Sequence, residues 1–155
     1  MGSVTGETPL VADLRAIVGD RHVIDGRSSL LVYESDASPG YRKRPLLAVF
    51  PGSRDEAIAV GRLLAARGVA FVPRGSGTGL SGGALADGVV LLGLQRLKRI
   101  LALDAAARTA TVEAGVVNAA LTAAAAPHGL HYAPDPSSQT ACTIGGNVAE
   151  NAGGP

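Results

Sequence analysis

The 155 residues predict an α+β fold: a small parallel βαβ subdomain followed by part of a mixed/antiparallel sheet subdomain. Three observations predict it. Apolar runs at 46–50 and 69–73 are separated by a segment with helical periodicity, the arrangement of a right-handed parallel crossover. Two further apolar segments flank Ala105-Ala106-Ala107-Arg108, the spacing of a hairpin. Glycine is clustered: of 21 glycines, six fall between 75 and 88 and four between 145 and 154. Glycine is used where backbone turns tightly or lies close to a ligand.

The elements follow in order. Thr8-Pro9 before Leu10, Val11, Leu14, Ile17 and Val18 predicts a short helix, with Thr8 as N-cap, Pro9 at N1 and Gly19 as terminator. Residues 28–33 read as a helical turn that enters a polar loop at 34–44. The run 46–50, bounded by Pro45 and Pro51-Gly52, reads as a buried strand. Ser53 and Glu56 have capping-box spacing, with Ile58, Val60, Leu63 and Leu64 as the core face and Gly68 as the stop. Strands at 69–73 and 89–94 come next, then a turn at 96–99. A hairpin of Ile100–Asp104 and 109–113 follows. Residues 116–126 are Ala-rich and helical up to Pro127-His128-Gly129, 132–138 form a Pro-rich loop, and 144–151 open a helix. The expected division places 1–74 in the first subdomain and 75–155 in an incomplete second one.

Composition excludes several classes. At 46% hydrophobic and 17% charged residues, the chain is too apolar for a disordered tail. Fourteen basic against 13 acidic residues give a net charge of +1, without the basic stripe that nucleic-acid binding needs. The one basic run, Arg42-Lys43-Arg44, reads as a solvated loop. A single cysteine, Cys142, excludes an intrachain disulfide framework, a Cys-based zinc site and an iron–sulfur cluster held by this chain. It also suits a reducing, cytoplasmic compartment. Residues 1–8 are polar without a secretory apolar core, and no apolar stretch is long enough to span a bilayer.

The first glycine cluster reads Pro73-Arg74-Gly75-Ser76-Gly77-Thr78-Gly79-Leu80-Ser81-Gly82-Gly83-Ala84. Alternating glycines free successive N–H groups to face one anion, and such nests bind phosphate. Ser76, Thr78 and Ser81 add hydroxyl donors and Arg74 a cation, so a pyrophosphate suits the loop. The loop lacks the helix and downstream acid of a Rossmann fingerprint, and no Gly-Lys-Ser/Thr of a Walker loop follows. The competing reading is a flexible hairpin loop. The second cluster comprises Pro134-Asp135-Pro136-Ser137-Ser138-Gln139 and Thr143-Ile144-Gly145-Gly146-Asn147-Val148-Ala149-Glu150-Asn151-Ala152-Gly153-Gly154. Its prolines stiffen one wall of a cleft, and Asn147 and Asn151, four apart, are expected on one helix face. Taken alone, it is also compatible with plain loop punctuation.

Together these residues resemble the two FAD signatures of the vanillyl-alcohol oxidase/p-cresol methylhydroxylase flavoprotein superfamily. Within it they are most similar to the group holding the FAD subunit of bacterial glycolate oxidase and the D-lactate dehydrogenases. Tyr33-Glu34-Ser35-Asp36, Tyr41-Arg42, Arg44-Pro45-Leu46-Leu47, Ala126-Pro127-His128 and Tyr132-Ala133 extend the match over roughly residues 10–155.

The resemblance implies an FAD-binding domain of the p-cresol methylhydroxylase type. In it, Arg74, Gly75, Ser76, Gly77, Thr78, Gly79, Leu80, Ser81 and Gly82 wrap the pyrophosphate, and Pro134, Asp135 and Ser138 line the flavin side. Thr143, Gly145, Gly146 and Asn147 approach the isoalloxazine and ribityl chain, with Ala149, Asn151 and Ala152 further along. No histidine lies in either cluster, so FAD is expected to be noncovalent, and His128 and His131 to be structural. The implied activity is oxidation of a 2-hydroxy acid, glycolate, to a 2-oxo acid. Electrons would pass to an iron–sulfur or second flavoprotein-like subunit. D-lactate and D-2-hydroxyglutarate dehydrogenases are the alternatives within the superfamily, and a non-catalytic nucleotide-binding or interaction module is the alternative outside it.

The resembling proteins are much longer, and their substrate domain has no counterpart here. No catalytic or metal-binding residue is therefore expected in this chain. A fragment of a longer protein and one chain of a split protein are the two readings of its length. The expected place is the cytoplasm, with the inner face of the membrane as a peripheral alternative.

Overall fold

Leu47, Ala48 and Val49 form a buried strand because the chain alternates them between two apolar layers. A computed structural model describes residues 8–38 and 40–154. Its strands are β1 (Val23–Ile24), β2 (Leu47–Val49), β3 (Phe71–Arg74), β4 (Val90–Gly93), β5 (Ile100–Asp104) and β6 (Thr109–Val112). Its α-helices are α1 (Pro9–Val18), α2 (Arg54–Ala66), α3 (Asn118–Ala125) and α4 (Ile144–Ala149). Short 3₁₀ turns lie at Asp20–His22, Ser29–Tyr33 and Ala126–His128.

The first four strands make one sheet in the order β1-β2-β4-β3, and β5 and β6 pair as a separate antiparallel hairpin. β2 and β3 are parallel, as the crossover predicts, but β4 is inserted between them and parallel to both. The sheet thus draws strands from both sides of the expected division at residue 74. Its β1 edge, antiparallel to β2, has no counterpart in the sequence reading. Two residues are too few to carry a periodicity signal.

On one face of the sheet, Leu47, Val49, Val90 and Leu92 meet Val11, Leu14 and Val18 of α1 and Val60 and Leu64 of α2. On the other, Ala48, Phe50 and Leu91 pack with Leu30 and Ala86. Tyr33 adds a ring contact to Phe50 at 5.4 Å between centroids. The period of two along the strands produces both layers.

The helix ends follow their local chemistry. Pro9 opens α1, and Gly19 closes it at φ 84° with its N–H bonded to Arg15 O. Ser53 caps α2 by accepting from Glu56 N at 3.1 Å, while Glu56 Oε2 accepts from Gly52 N at 2.7 Å. The box therefore closes one residue earlier than its usual form. Ile58, expected in the core, is 39% exposed, since α2 buries Val60 and Leu64 instead. The hairpin β5–β6 spans the expected residues and is stapled at its base by Arg99 and Glu113. Leu101 on it faces solvent. Among the described residues no helix is long and apolar enough to cross a membrane.

Candidate functional site

β3 ends at Arg74, and the first glycine loop begins at the next residue, at the carboxyl end of a parallel strand. Ligands of open α/β sheets bind at such ends. Among the described residues, no N–H from Gly75 to Ser81 donates a hydrogen bond within the chain. Gly77 and Gly82 adopt φ 69° and 78°, the left-handed values that let the loop coil without strain.

A strap at residues 35–38 holds this loop from below. Ala37 N donates to Gly79 O at 3.2 Å, and Asp36 Oδ2 accepts from Gly82 N at 3.1 Å. Asp36 Oδ1 accepts from Ser38 N at 2.8 Å. The Arg74 guanidinium, expected to face an anion, donates instead to Ser35 O at 2.8 Å and Ala84 O at 3.3 Å. Arg74 is 9% exposed. Burial pulls it below the ordinary guanidinium value, opposed by the charges of Asp36 and Tyr33. Its guanidinium lies under Gly77, where any Cβ would strike it. Arg74 thus braces the loop through two backbone carbonyls.

The second loop is seated on the segment after the hairpin. Ile144 N donates to Val116 O and Gly145 N to Ala114 O, both at 2.8 Å. Asn118 Nδ2 donates to Pro134 O at 2.9 Å, and Asp135 N to Gly153 O at 2.8 Å. Thr143 caps α4 by accepting from Gly146 N at 3.3 Å. The two loops touch where Gly75 meets Thr143: a Cβ at 75 would collide with Thr143 Oγ1. A Cβ at Gly145 would lie 2.8 Å from Ala114 Cβ.

Between the loops lies a cleft of about 330 Å³. Of the predicted residues, Arg74, Gly75, Ser76, Gly77, Thr78, Gly79, Ser138, Thr143, Gly145, Gly146, Asn147, Ala149 and Ala152 line it. Leu80, Ser81, Gly82, Pro134, Asp135 and Asn151 stand outside its lining. Asn151 does not share a helix face with Asn147: α4 ends at Ala149, and Asn151 turns away at φ 52°. Pro73, Gly83, Ala84, Leu94, Ala114, Cys142 and Glu150 line the cleft as well, none of them among the expected cofactor contacts. Only the approach of the hairpin's exit to α4 brings Ala114 there, and no local pattern carries that information. No histidine lines the cleft, and His131 lies in a separate cavity beside the hairpin.

The donor set fits a dinucleotide flavin. The run of free N–H groups suits a pyrophosphate. Asn147 is 6% exposed with its Nδ2 unpaired among the described residues, a buried donor that calls for an acceptor.

The chain belongs to the family of FAD binding domains, whose model matches residues 45–155. It is 47% identical over 148 residues to the glycolate oxidase subunit GlcD of Escherichia coli, covering 95% of this chain and 30% of that protein. It is 45% identical over 123 residues to a D-2-hydroxyglutarate dehydrogenase of Xanthomonas citri, covering 79% of this chain and 26% of that one. The chain thus spans less than a third of the length of these relatives. The crystal structure of p-cresol methylhydroxylase with substrate bound superposes with a TM-score of 0.76 at 21% identity, over 90% of this chain and 28% of that chain. The fold is therefore the expected p-cresol methylhydroxylase type.

Proposed function

We propose that this chain is the FAD-holding part of an oxidoreductase that oxidises a 2-hydroxy acid, glycolate first among them, to the 2-oxo acid. The observation that carries the reading is the run of unbonded N–H groups from Gly75 to Gly79 on a cleft that the unpaired Asn147 amide also lines. Similarity to the glycolate oxidase subunit of Escherichia coli supports the substrate class.

In this reading Gly75–Gly79 hold the pyrophosphate, and Asn147, Gly145 and Gly146 lie along the flavin and ribityl chain. Leu94, Ala114 and Cys142 keep water from one wall. FAD supplies a two-electron acceptor for the hydride. The chain's own residues bind and orient it, noncovalently, and the substrate-binding groups belong to a further domain. An iron–sulfur or second flavoprotein-like subunit takes the electrons onward, in the cytoplasm or peripherally at the membrane's inner face.

A D-2-hydroxyglutarate dehydrogenase is the second reading, favoured by the relative in Xanthomonas citri. D-lactate is the third substrate to compare. The test is flavin retention and its bleaching. The purified protein is expected to carry or take up FAD, giving an oxidised-flavin spectrum, and Gly77→Val is expected to lose it. A colourless protein that ignores added FAD, or a Gly77→Val variant with unchanged retention, would sink the reading. In a protein of the relatives' length, anaerobic bleaching by glycolate, D-lactate or D-2-hydroxyglutarate ranks the three substrates.

A further inference from the structure

Glu150 follows directly on α4 and reaches across the cleft to the opposite loop. A Cβ placed on Gly83 would collide with its Oε1, and one on Gly79 would sit 3.7 Å from its carboxyl carbon. The missing side chain of Gly83 leaves room for the carboxylate where it stands, and a Cβ at Gly79 would be at ordinary contact distance from it. No described residue donates a hydrogen bond to it or pairs with it. The one cation lining the cleft, Arg74, is committed to the carbonyls of Ser35 and Ala84. A single unpartnered anion thus stands against a loop whose free N–H groups suit an anion.

We infer that Glu150 sets the affinity of the cleft for phosphorylated ligands: its carboxylate stands at the glycine loop, and a pyrophosphate entering the loop displaces it. The inference deepens the FAD reading and rests on it for the identity of the ligand. A pyrophosphate diester carries two negative charges, and a carboxylate a few ångströms away opposes them through a partly wet cleft. The effect therefore scales with ligand charge and vanishes for a flavin without phosphate. The opposite role, a carboxylate accepting from a ribose or ribityl hydroxyl, predicts the opposite sign.

The test is titration of the purified protein, Glu150→Gln and Glu150→Ala with FAD, riboflavin and inorganic pyrophosphate, by flavin fluorescence and calorimetry. Both variants are expected to bind FAD about tenfold more tightly and pyrophosphate more tightly as well, with riboflavin unchanged. Unchanged or weaker binding of FAD and pyrophosphate overturns the inference, and weaker FAD binding assigns the carboxylate to a ligand hydroxyl. An equal gain for riboflavin also overturns it, since charge would not be the cause. Tighter pyrophosphate binding with no FAD bound by any of the proteins upholds the role of Glu150 and removes the FAD reading.

Discussion

Arg74 illustrates how one residue type serves two chemistries. A cation before a glycine loop suggests a phosphate ligand, yet its guanidinium is spent on Ser35 O and Ala84 O. Buried hydrogen bonds from a charged donor are worth roughly 1.5–3 kcal/mol, and removing the donor leaves two carbonyls unpaired. Arg74→Met is therefore expected to destabilise the fold by about 2–3 kcal/mol in denaturant unfolding. Arg74→Lys, which reaches one carbonyl at a time, should lose about half of that. If Arg74→Met unfolds like the parent and loses only FAD affinity, the guanidinium is a ligand and the brace is wrong. Gly75 is governed by space alone. Its missing Cβ is where Thr143 Oγ1 sits, so Gly75→Val should force the two loops apart.

At the scale of elements, the hairpin β5–β6 depends on its base. Arg99 N donates to Glu113 Oε2 at 2.8 Å, and the guanidinium donates to Oε1 at 2.8 and 3.0 Å. These bonds, the side-chain one foremost, hold the Glu113 carboxyl below its ordinary value. A carboxyl depressed in the folded state adds stability that is present above its unfolded value, about 4.3, and fades as pH falls through the folded value. The parent should thus be more stable than Glu113→Gln at pH 7, with the gap closing on acidification. A constant gap from pH 7 to 3 in thermal unfolding would remove the ionised carboxyl from the account.

What could be seen in advance at this scale follows from the range of the interactions. The hairpin, the Ser53 cap, the Pro9 start and the Gly19 stop are decided within a few residues and were legible. The two glycine loops were legible as segments, and 13 of the 19 residues expected to touch the cofactor line the cleft between them, whereas Glu150 on the second loop was not among those expected. The insertion of β4 between β2 and β3 was not legible, because sheet order is settled by pairing between distant segments. The strap under the first loop escaped for the same reason: Asp36 meets Gly82 across 46 positions. Asn151 escaped because α4 stops after six residues, which no periodicity over so short a stretch can announce.

For the whole molecule, the cleft is a joint. One wall grows from the four-stranded sheet through β3, and the other is seated on the chain leaving the hairpin. Where Gly75 meets Thr143 the walls are in contact, and a ligand filling the cleft would add contacts to both at once. A ligand that binds only the folded chain stabilises it by about 2.7 kcal/mol at a concentration of 100 Kd. At roughly 2–4 °C per kcal/mol for a chain of this size, FAD should raise the melting midpoint by about 5–11 °C. Riboflavin reaches the second loop's donors but leaves the N–H groups of the first unused, so at equal concentration its shift should be smaller. Gly75→Val, with the walls forced apart, should show almost none. Equal shifts from FAD and riboflavin would mean that the glycine loop contributes nothing, and a full FAD shift in Gly75→Val would mean that the walls do not close on one ligand.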